Sequence, residues 1–570
     1  MKTLLPTPRF CWAAGTLVLA ATLGSAGCVG ILGDDNGATG GSTSTSMTPP
    51  TPPVESAEHG IRLPRLSHLQ WARTAQAFLR LTDTPLFEMR KDTIPEDGFE
   101  TDDRARIVDK SLTIDYRSAA EFLSNQEVDV DEAFVKFTAD SGSGDVPTRL
   151  RAIITTAWPR AYRRPLTKDE IDRYVALGMA EPGYKAAEGK DEKAQLQAAL
   201  RVLVRVTLQS PHFVYRVELG DPAGEVQQGK YQIRPLTSNE YATRLAYTLF
   251  DAPPDDAPLA AVAAAGAAYD PSKLVDDPRA TDTLLRFNAA LYVVDAARSM
   301  IKDVTKFPEA QGIGPDAAHE AELFLDDVVK KGGGLRELLL SRSAFVNQRL
   351  APIYGLPTDG LTTDQFAPFD LPAERAGILT RVSWTGTQAN LFERNSILRG
   401  VYVARKLLCL TLESPPNGAV ESAPKPPAEL VSNREKVIFR TAGGSCAGCH
   451  QGIINPNGFA FEGFDAIGRF LVDENGMKVD STGKSNLDGK SVSFVGARDF
   501  LEQAAEADQT HGCYVDHLDS WVLGRPLADF ERASAAPTAK RSRADHASVR
   551  ALLAALIAAP AFRSVVQEAQ

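Results

Sequence analysis

Cys446-Ala447-Gly448-Cys449-His450 sets two thiols three residues apart, with an imidazole directly after the second. C-x-x-C-H is the spacing at which haem is attached covalently. The thiols add across the porphyrin vinyl groups, and the histidine is placed to ligate iron from one side. The chain has six cysteines and eight histidines in 570 residues. At those frequencies a chance match arises in roughly one such chain in a thousand. Two other readings stay open. A Cys446–Cys449 disulfide or dithiol redox pair needs no His450. A zinc site needs a fourth ligand, and no second C-x-x-C or H-x-x-x-H partner supplies one. The expectation is one covalent haem c, with Cys446 and Cys449 as its attachment points and His450 as its proximal ligand.

A ligating histidine needs an acceptor for its other ring nitrogen, which fixes the tautomer. The segment Ile454-Asn455-Pro456-Asn457-Gly458-Phe459 is the nearest source. The backbone carbonyl of Asn455 or Pro456 is expected to accept, with Phe459 and Phe461 packed on the porphyrin. The alternative is a plain turn followed by core aromatics. Opposite the iron three choices remain: Met477, one of His511, His517 and His546, or an open face. A methionine raises the reduction potential and suits electron transfer, whereas an open position admits oxygen or peroxide chemistry.

Cys409 and Cys513 remain once the motif, the leader and Cys28 have used the others. In an oxidising compartment they are expected to pair. Such a bridge closes a loop of about 100 residues around the haem motif, worth roughly 4–5 kcal/mol in the loop-entropy model. Glu462, Asp465 and Arg469 read as an ion pair holding a turn rather than as an acid pair. His212 reads as a core histidine, and Arg160, Arg163 and Arg164 as a solvated or ion-paired helix face. No G-x-S-x-G elbow, P-loop or dinucleotide fingerprint occurs, so the common hydrolase, ATPase and NAD-dependent classes find no support.

The N-terminus explains how such a site is reached. Lys2 and Arg9 precede an apolar run through Leu17-Val18-Leu19 and then Ser25-Ala26-Gly27-Cys28. Residues 1–27 read as a secretory signal, too short for a spanning helix. Ala-Gly-Cys is similar to a lipobox, which makes Cys28 the expected lipidation site, although Ser25 stands where leucine is preferred. Simple cleavage without lipid is the competing reading. Residues 28–58, rich in Gly, Ser, Thr and Pro, form a tether with little to bury. The expected location is therefore the periplasmic side of a bacterial membrane or the cell surface, with a membrane contact through the lipid. The net charge of −11 becomes more negative when Lys2 and Arg9 leave. That balance argues against a nucleic-acid partner.

Beyond the tether the periodicity is helical. Leu66, Leu69, Ala72, Ala75, Phe78 and Leu79 make one apolar stripe. Thr167 with Glu170, and Thr237 with Glu240, have capping-box spacing. Further helical patterns cover 283–299, 318–330, 335–354, 397–408 and 549–556, with short strands near 231–234 and 491–495. The fold class is mainly α: a multi-module helical protein with a small cytochrome c-like haem module near the C-terminus. The expected modules are 59–140, 141–225, 226–360, a haem-attachment module at 361–475, and a C-terminal helical module at 476–570.

Several phrases carry a family resemblance: Tyr162-Arg163-Arg164-Pro165-Leu166-Thr167, Ser210-Pro211-His212-Phe213-Val214-Tyr215-Arg216, Arg244-Leu245-Ala246-Tyr247, Leu350-Ala351-Pro352-Ile353-Tyr354-Gly355, Arg399-Gly400-Val401 and Phe464-Asp465-Ala466-Ile467-Gly468-Arg469. In this order they resemble the planctomycete-type secreted domains of unknown function that also occur in myxobacteria. The resemblance runs from about Leu63 to the C-terminus. It implies export and a C-x-x-C-H motif in the penultimate module, and it adds little about the reaction. That family often has aspartate before the proline after the motif, where this chain has Asn455. Three functional classes remain. The first is a lipid-anchored electron carrier working with a redox partner protein in the envelope. The second is a haem-dependent oxidoreductase, and the third a surface scaffold without haem.

Overall fold

The computed structural model describes residues 63–568, except 96, 255–256, 416–417, 420–422 and 445. The signal segment, Cys28 and the tether lie outside the described residues. What is described is mainly helical, with four small sheets. No helix among the described residues is long and apolar enough to cross a membrane.

The local starts follow the chemistry of their caps. The helix Lys168–Ala180 opens with Thr167 Oγ1 accepting from Glu170 N at 3.3 Å, while the Glu170 carboxylate accepts from Thr167 N at 2.8 Å. Ser238–Phe250 opens the same way with Thr237 and Glu240. His68–Leu79 has a third such box, from Ser67 and Gln70. Each box satisfies donors that a helix start otherwise leaves orphaned.

Apolar faces gather into two cores. One takes residues from Leu66 to Val214, with Trp71, Phe78, Trp158 and Phe213 ring to ring. Tyr247 joins it from the helix Ser238–Phe250. The second core runs from Leu236 to Val565, with Phe99 added, and includes Trp384, Phe461, Phe464 and Trp521. The strand Tyr231–Pro235 pairs on one edge with Val226–Gln228 and on the other with Ser564–Glu568, which returns from the far end of the chain.

Buried arginines tie these segments together. Arg163 donates to the carbonyls of His212, Phe213 and Tyr215 at 2.5–3.1 Å. Arg244 binds the carbonyls of Phe562 and Ser564, as well as the Glu218 carboxylate at 2.6 Å. Arg399, fully buried, donates to Phe461, Phe464, Thr385 and Asp465 carbonyls at 2.7–3.1 Å. A planar five-donor fork suits such clamps, because every buried carbonyl needs a donor. Burial lowers the Arg399 pKa to about 10, which still leaves it charged at neutral pH.

Three sequence expectations change here. Arg163 lies inside rather than on a solvated face, whereas Arg164 does pair with Glu170 at 2.7 Å. His212 is exposed, its ring 5.5 Å from that of Tyr162, and is not a core residue. The 335–354 stretch is also not one helix. It breaks into Leu335–Leu340, a strand Ser343–Val346 and a last turn Ala351–Tyr354. The strand pairs with Ala367–Asp370, so its hydrogen bonds come from residues more than twenty positions away. Helical spacing of apolar residues carries no trace of that partner.

Candidate functional site

The motif starts a helix of mixed pitch. Cys446–Cys449 is an α-turn, His450–Ile454 widens to a π-turn, and Asn455–Phe459 resumes the α pitch. Such π-turns concentrate at functional positions. A cause for the distortion lies beside it, where the helix Ser396–Tyr402 crosses at backbone distance. A Cβ on Gly400 would stand 1.9 Å from the Ile454 carbonyl oxygen, and one on Gly458 1.8 Å from that of Ser396. Only glycine fits at both crossings. Arg399 then clamps the chain just after the crossing.

The motif side chains are available. Cys446 is half-buried and Cys449 exposed, and both are free thiols. His450 Nδ1 lies 3.1 Å from Asn455 Oδ1. A chain of hydrogen bonds decides which atom holds the proton. The Thr441 hydroxyl donates to the Val437 carbonyl at 2.8 Å, so its oxygen accepts from Asn455 Nδ2, also at 2.8 Å. The Asn455 amide therefore presents its oxygen to the ring, and Nδ1 carries the hydrogen. Nε2 is left with its lone pair free for a metal. The acceptor is thus the Asn455 side chain rather than a backbone carbonyl. Asparagine also serves where the resembling family often has aspartate.

A cavity of about 680 Å³ opens beside this helix, within the range of about 300–1,000 Å³ common for small-molecule and cofactor sites. Ile438, Pro456, Phe459, Phe494 and Val495 give it apolar walls, and Arg434 and Lys484 give it cationic ones. The Arg434 guanidinium sits 4.2 Å from the centre of the Phe459 ring and donates to the carbonyls of Asp480 and Thr482. Phe461 points the other way. It is fully buried, 4.8 Å from the Trp384 ring, and belongs to the core.

The remaining candidates are spread out. Met477 is 38% exposed on the hairpin Asp473–Glu474/Met477–Lys478 and does not line the cavity. Both His511 nitrogens are engaged, with Ser542 Oγ at 2.7 Å and the Ala505 carbonyl at 3.0 Å. His546 lines a separate cavity with Asp327 and Glu337. His517 stands beside the Cys409–Cys513 disulfide, and burial drives its pKa down to about 3. Glu462 takes Arg394 Nε at 2.8 Å, Ser396 Oγ at 2.5 Å and Asn433 Nδ2 at 2.8 Å. Asp465 accepts from Arg469 and from the Ile467 and Arg469 backbone. These carboxylates are engaged by the surrounding chain and hold turns.

Haem c is testable against this geometry. Two free thiols one helical turn apart and an imidazole with a fixed tautomer suit a covalently held porphyrin. The neighbouring cavity, lined by Asn455 and Pro456 rather than by Cys446, Cys449 or His450, adds apolar walls with Arg434, Lys484 and the Asp499 carboxylate. The residues present fit the group. Thr441, Gly400 and Gly458 escaped the sequence reading, as did the partners of Glu462, which pairs with Arg394 and not with Arg469. Only the Arg-Gly pair at Gly400 gave any local hint.

Comparison with known proteins follows the same order along the chain. Residues 149–218 match the family model PSD5, a protein of unknown function (DUF1595). Residues 236–356 match PSD4 (DUF1592), and residues 375–474, which span Cys446 to His450, match PSCyt3 (DUF1588), both likewise of unknown function. No curated protein and no solved structure matches the chain. By these three segments the chain is similar to a multi-domain family of proteins of unknown function.

Proposed function

We propose that this chain is an exported monohaem c-type protein that transfers electrons in the bacterial cell envelope, anchored through lipid on Cys28. Cys446 and Cys449 would hold the porphyrin, and His450 Nε2 would face the iron. Bound there, the group supplies reversible one-electron chemistry. The protein's part is to hold and orient. Asn455 keeps the proton on His450 Nδ1, and Thr441 keeps Asn455 from turning over. The Gly400–Gly458 crossing fixes the helix that carries them, while Arg434 and Lys484 offer positive charge. The observation that carries the reading is the Val437–Thr441–Asn455–His450 hydrogen-bond chain, which prepares one ring nitrogen for a metal. A lone disulfide or a scaffold has no need of it. The partner is a second redox protein of the envelope.

A second reading has one observation in its favour. Both His511 nitrogens are hydrogen-bonded, His517 stands against the disulfide, His546 lines a separate cavity and Met477 sits on an exposed hairpin, which suits an open iron face and an oxidoreductase. The test of both is expression of the full chain with c-type maturation machinery, followed by a pyridine haemochrome spectrum of wild type and His450→Ala. A colourless product with both motif thiols titratable sinks the haem proposal. Given haem, iron indifferent to carbon monoxide and cyanide supports electron transfer, and iron that binds them supports the second reading.

A further inference from the structure

The Cys409–Cys513 bridge does more than join two segments, because a third donor stands against it. His517 Nε2 lies 3.6 Å from Cys409 Sγ, and the three ligand atoms of Cys409, Cys513 and His517 all fall within 4.8 Å of one another. The His517 ring packs edge-on against Phe99, with ring centres 5.9 Å apart, which holds it on the helix Asp508–Leu523 beside the bridge. With Zn–S of about 2.3 Å and Zn–N of about 2.0–2.1 Å, a tetrahedral site sets sulfur and nitrogen roughly 3.5–3.6 Å apart. The observed separation already has that value. Once the bridge opens, the two sulfurs have to separate to about 3.8 Å for the set to close around an ion.

We propose that Cys409, Cys513 and His517 form a redox-gated metal site: a disulfide when oxidised, and a three-ligand Cys₂His site for a zinc-class cation when reduced. Opening is a thiol–disulfide exchange with a dithiol reductant. The reductant gives two electrons and two protons and becomes a disulfide, the Sγ–Sγ bond breaks, and Cys409 and Cys513 become thiols. Metal uptake then releases both thiol protons to solvent. Cys409 is the exposed member and Cys513 the buried one, so a reductant reaches the bridge from the Cys409 side. Cys409 also holds φ = 48°, a left-handed conformation unfavourable for a non-glycine residue. Opening the bridge frees that backbone to relax. The site is independent of the haem reading and stands or falls without it.

The experiment uses the full chain carrying Cys446→Ser and Cys449→Ser, so that the haem-motif thiols do not compete. It is reduced with a phosphine and titrated with Co²⁺ as the optical probe. The reduced chain is expected to take up one equivalent, with thiolate charge-transfer and tetrahedral visible bands, and to release it to Zn²⁺. The oxidised chain should show neither band. His517→Ala should weaken uptake by more than about tenfold, since even supporting residues of metal sites are worth that much. Should that variant not fold, Cys409→Ser, at an exposed position, is held to the same loss. No uptake by the reduced chain, uptake by the oxidised chain, or uptake unchanged in a folded variant overturns the proposal.

Discussion

Two cysteine pairs in one chain have opposite fates. Cys409 and Cys513 are 104 residues apart and joined. Cys446 and Cys449 are three residues apart, on one face of a helical turn, and free. Each pair has an imidazole beside it, but His450 arrives by chain connectivity and His517 by folding. Proximity in sequence therefore does not decide which thiols pair. The bridge links the segment that follows the Arg399 clamp to the helix Asp508–Leu523, so its effect is to restrict the unfolded chain. The motif pair is left open beside a cavity, where the thiols and His450 can serve a cofactor.

The contrast can be broken most severely at the motif. Cys446→Ala with Cys449→Ala should abolish covalent haem altogether in the pyridine haemochrome assay, while Cys513→Ser should retain it. If the bridge variant also emerges colourless, the two pairs are not separable. Next in size, Cys409→Ser or Cys513→Ser should lower unfolding free energy by about 4–5 kcal/mol in denaturant titration. The motif variants should change it by about 1 kcal/mol or less.

The bridge-bearing helix also predicts a pH dependence. Burial, and then the neighbouring Glu531 and Asp516, raise the Asp519 pKa to about 8, against about 3.9 for an unfolded aspartate. Between those values the folded chain keeps a proton that the unfolded chain has lost, so stability falls as pH rises towards 8. Asp519→Asn removes this dependence. It should gain on the order of 5 kcal/mol over wild type at pH 8 and almost nothing at pH 4. Equal stability curves would mean that Asp519 is ionised in the folded chain.

The smallest effect sharpens the motif side. Asn455→Leu leaves His450 Nδ1 and Thr441 without their partner and should cost about 1–3 kcal/mol. Asn455→Asp keeps an acceptor and makes it stronger. By raising the basicity of the ligand it should lower the haem reduction potential in spectroelectrochemistry. A potential unmoved by that change would detach Asn455 from the iron.

How far local signals reach is visible in a phrase used three times. Arg164-Pro165-Leu166, Arg234-Pro235-Leu236 and Arg525-Pro526-Leu527 are each followed by a glutamate six residues after the arginine. At the first and third, a helix ends in a left-handed residue, Arg163 or Gly524, and the arginine grips that glutamate, Glu170 or Glu531. At the second the arginine lies on a strand. Arg234 pairs with Glu225, and Glu240 accepts from the Leu219 backbone instead. The glutamate caps its own helix in all three. The arginine's partner depends on what the preceding chain has become.

The sequence alone was sufficient for whatever closes within a few residues. The capping boxes at Thr167 and Thr237, the mainly helical class and the strands near 231 and 491 all belong there. The Cys409–Cys513 bridge was legible only by elimination among few cysteines. Tertiary structure alone decided that Arg163 and Arg399 are buried clamps, that 335–354 contains a strand, that Asn455 presents its side-chain oxygen to His450, and that His517 meets a disulfide. In most of these a polar group or a strand edge meets a partner far along the chain; His450 and Asn455 are close in sequence, but Thr441 decides which amide atom faces the ring. Burial creates the demand for such partners, and only the folded path determines which atom is near enough to meet it.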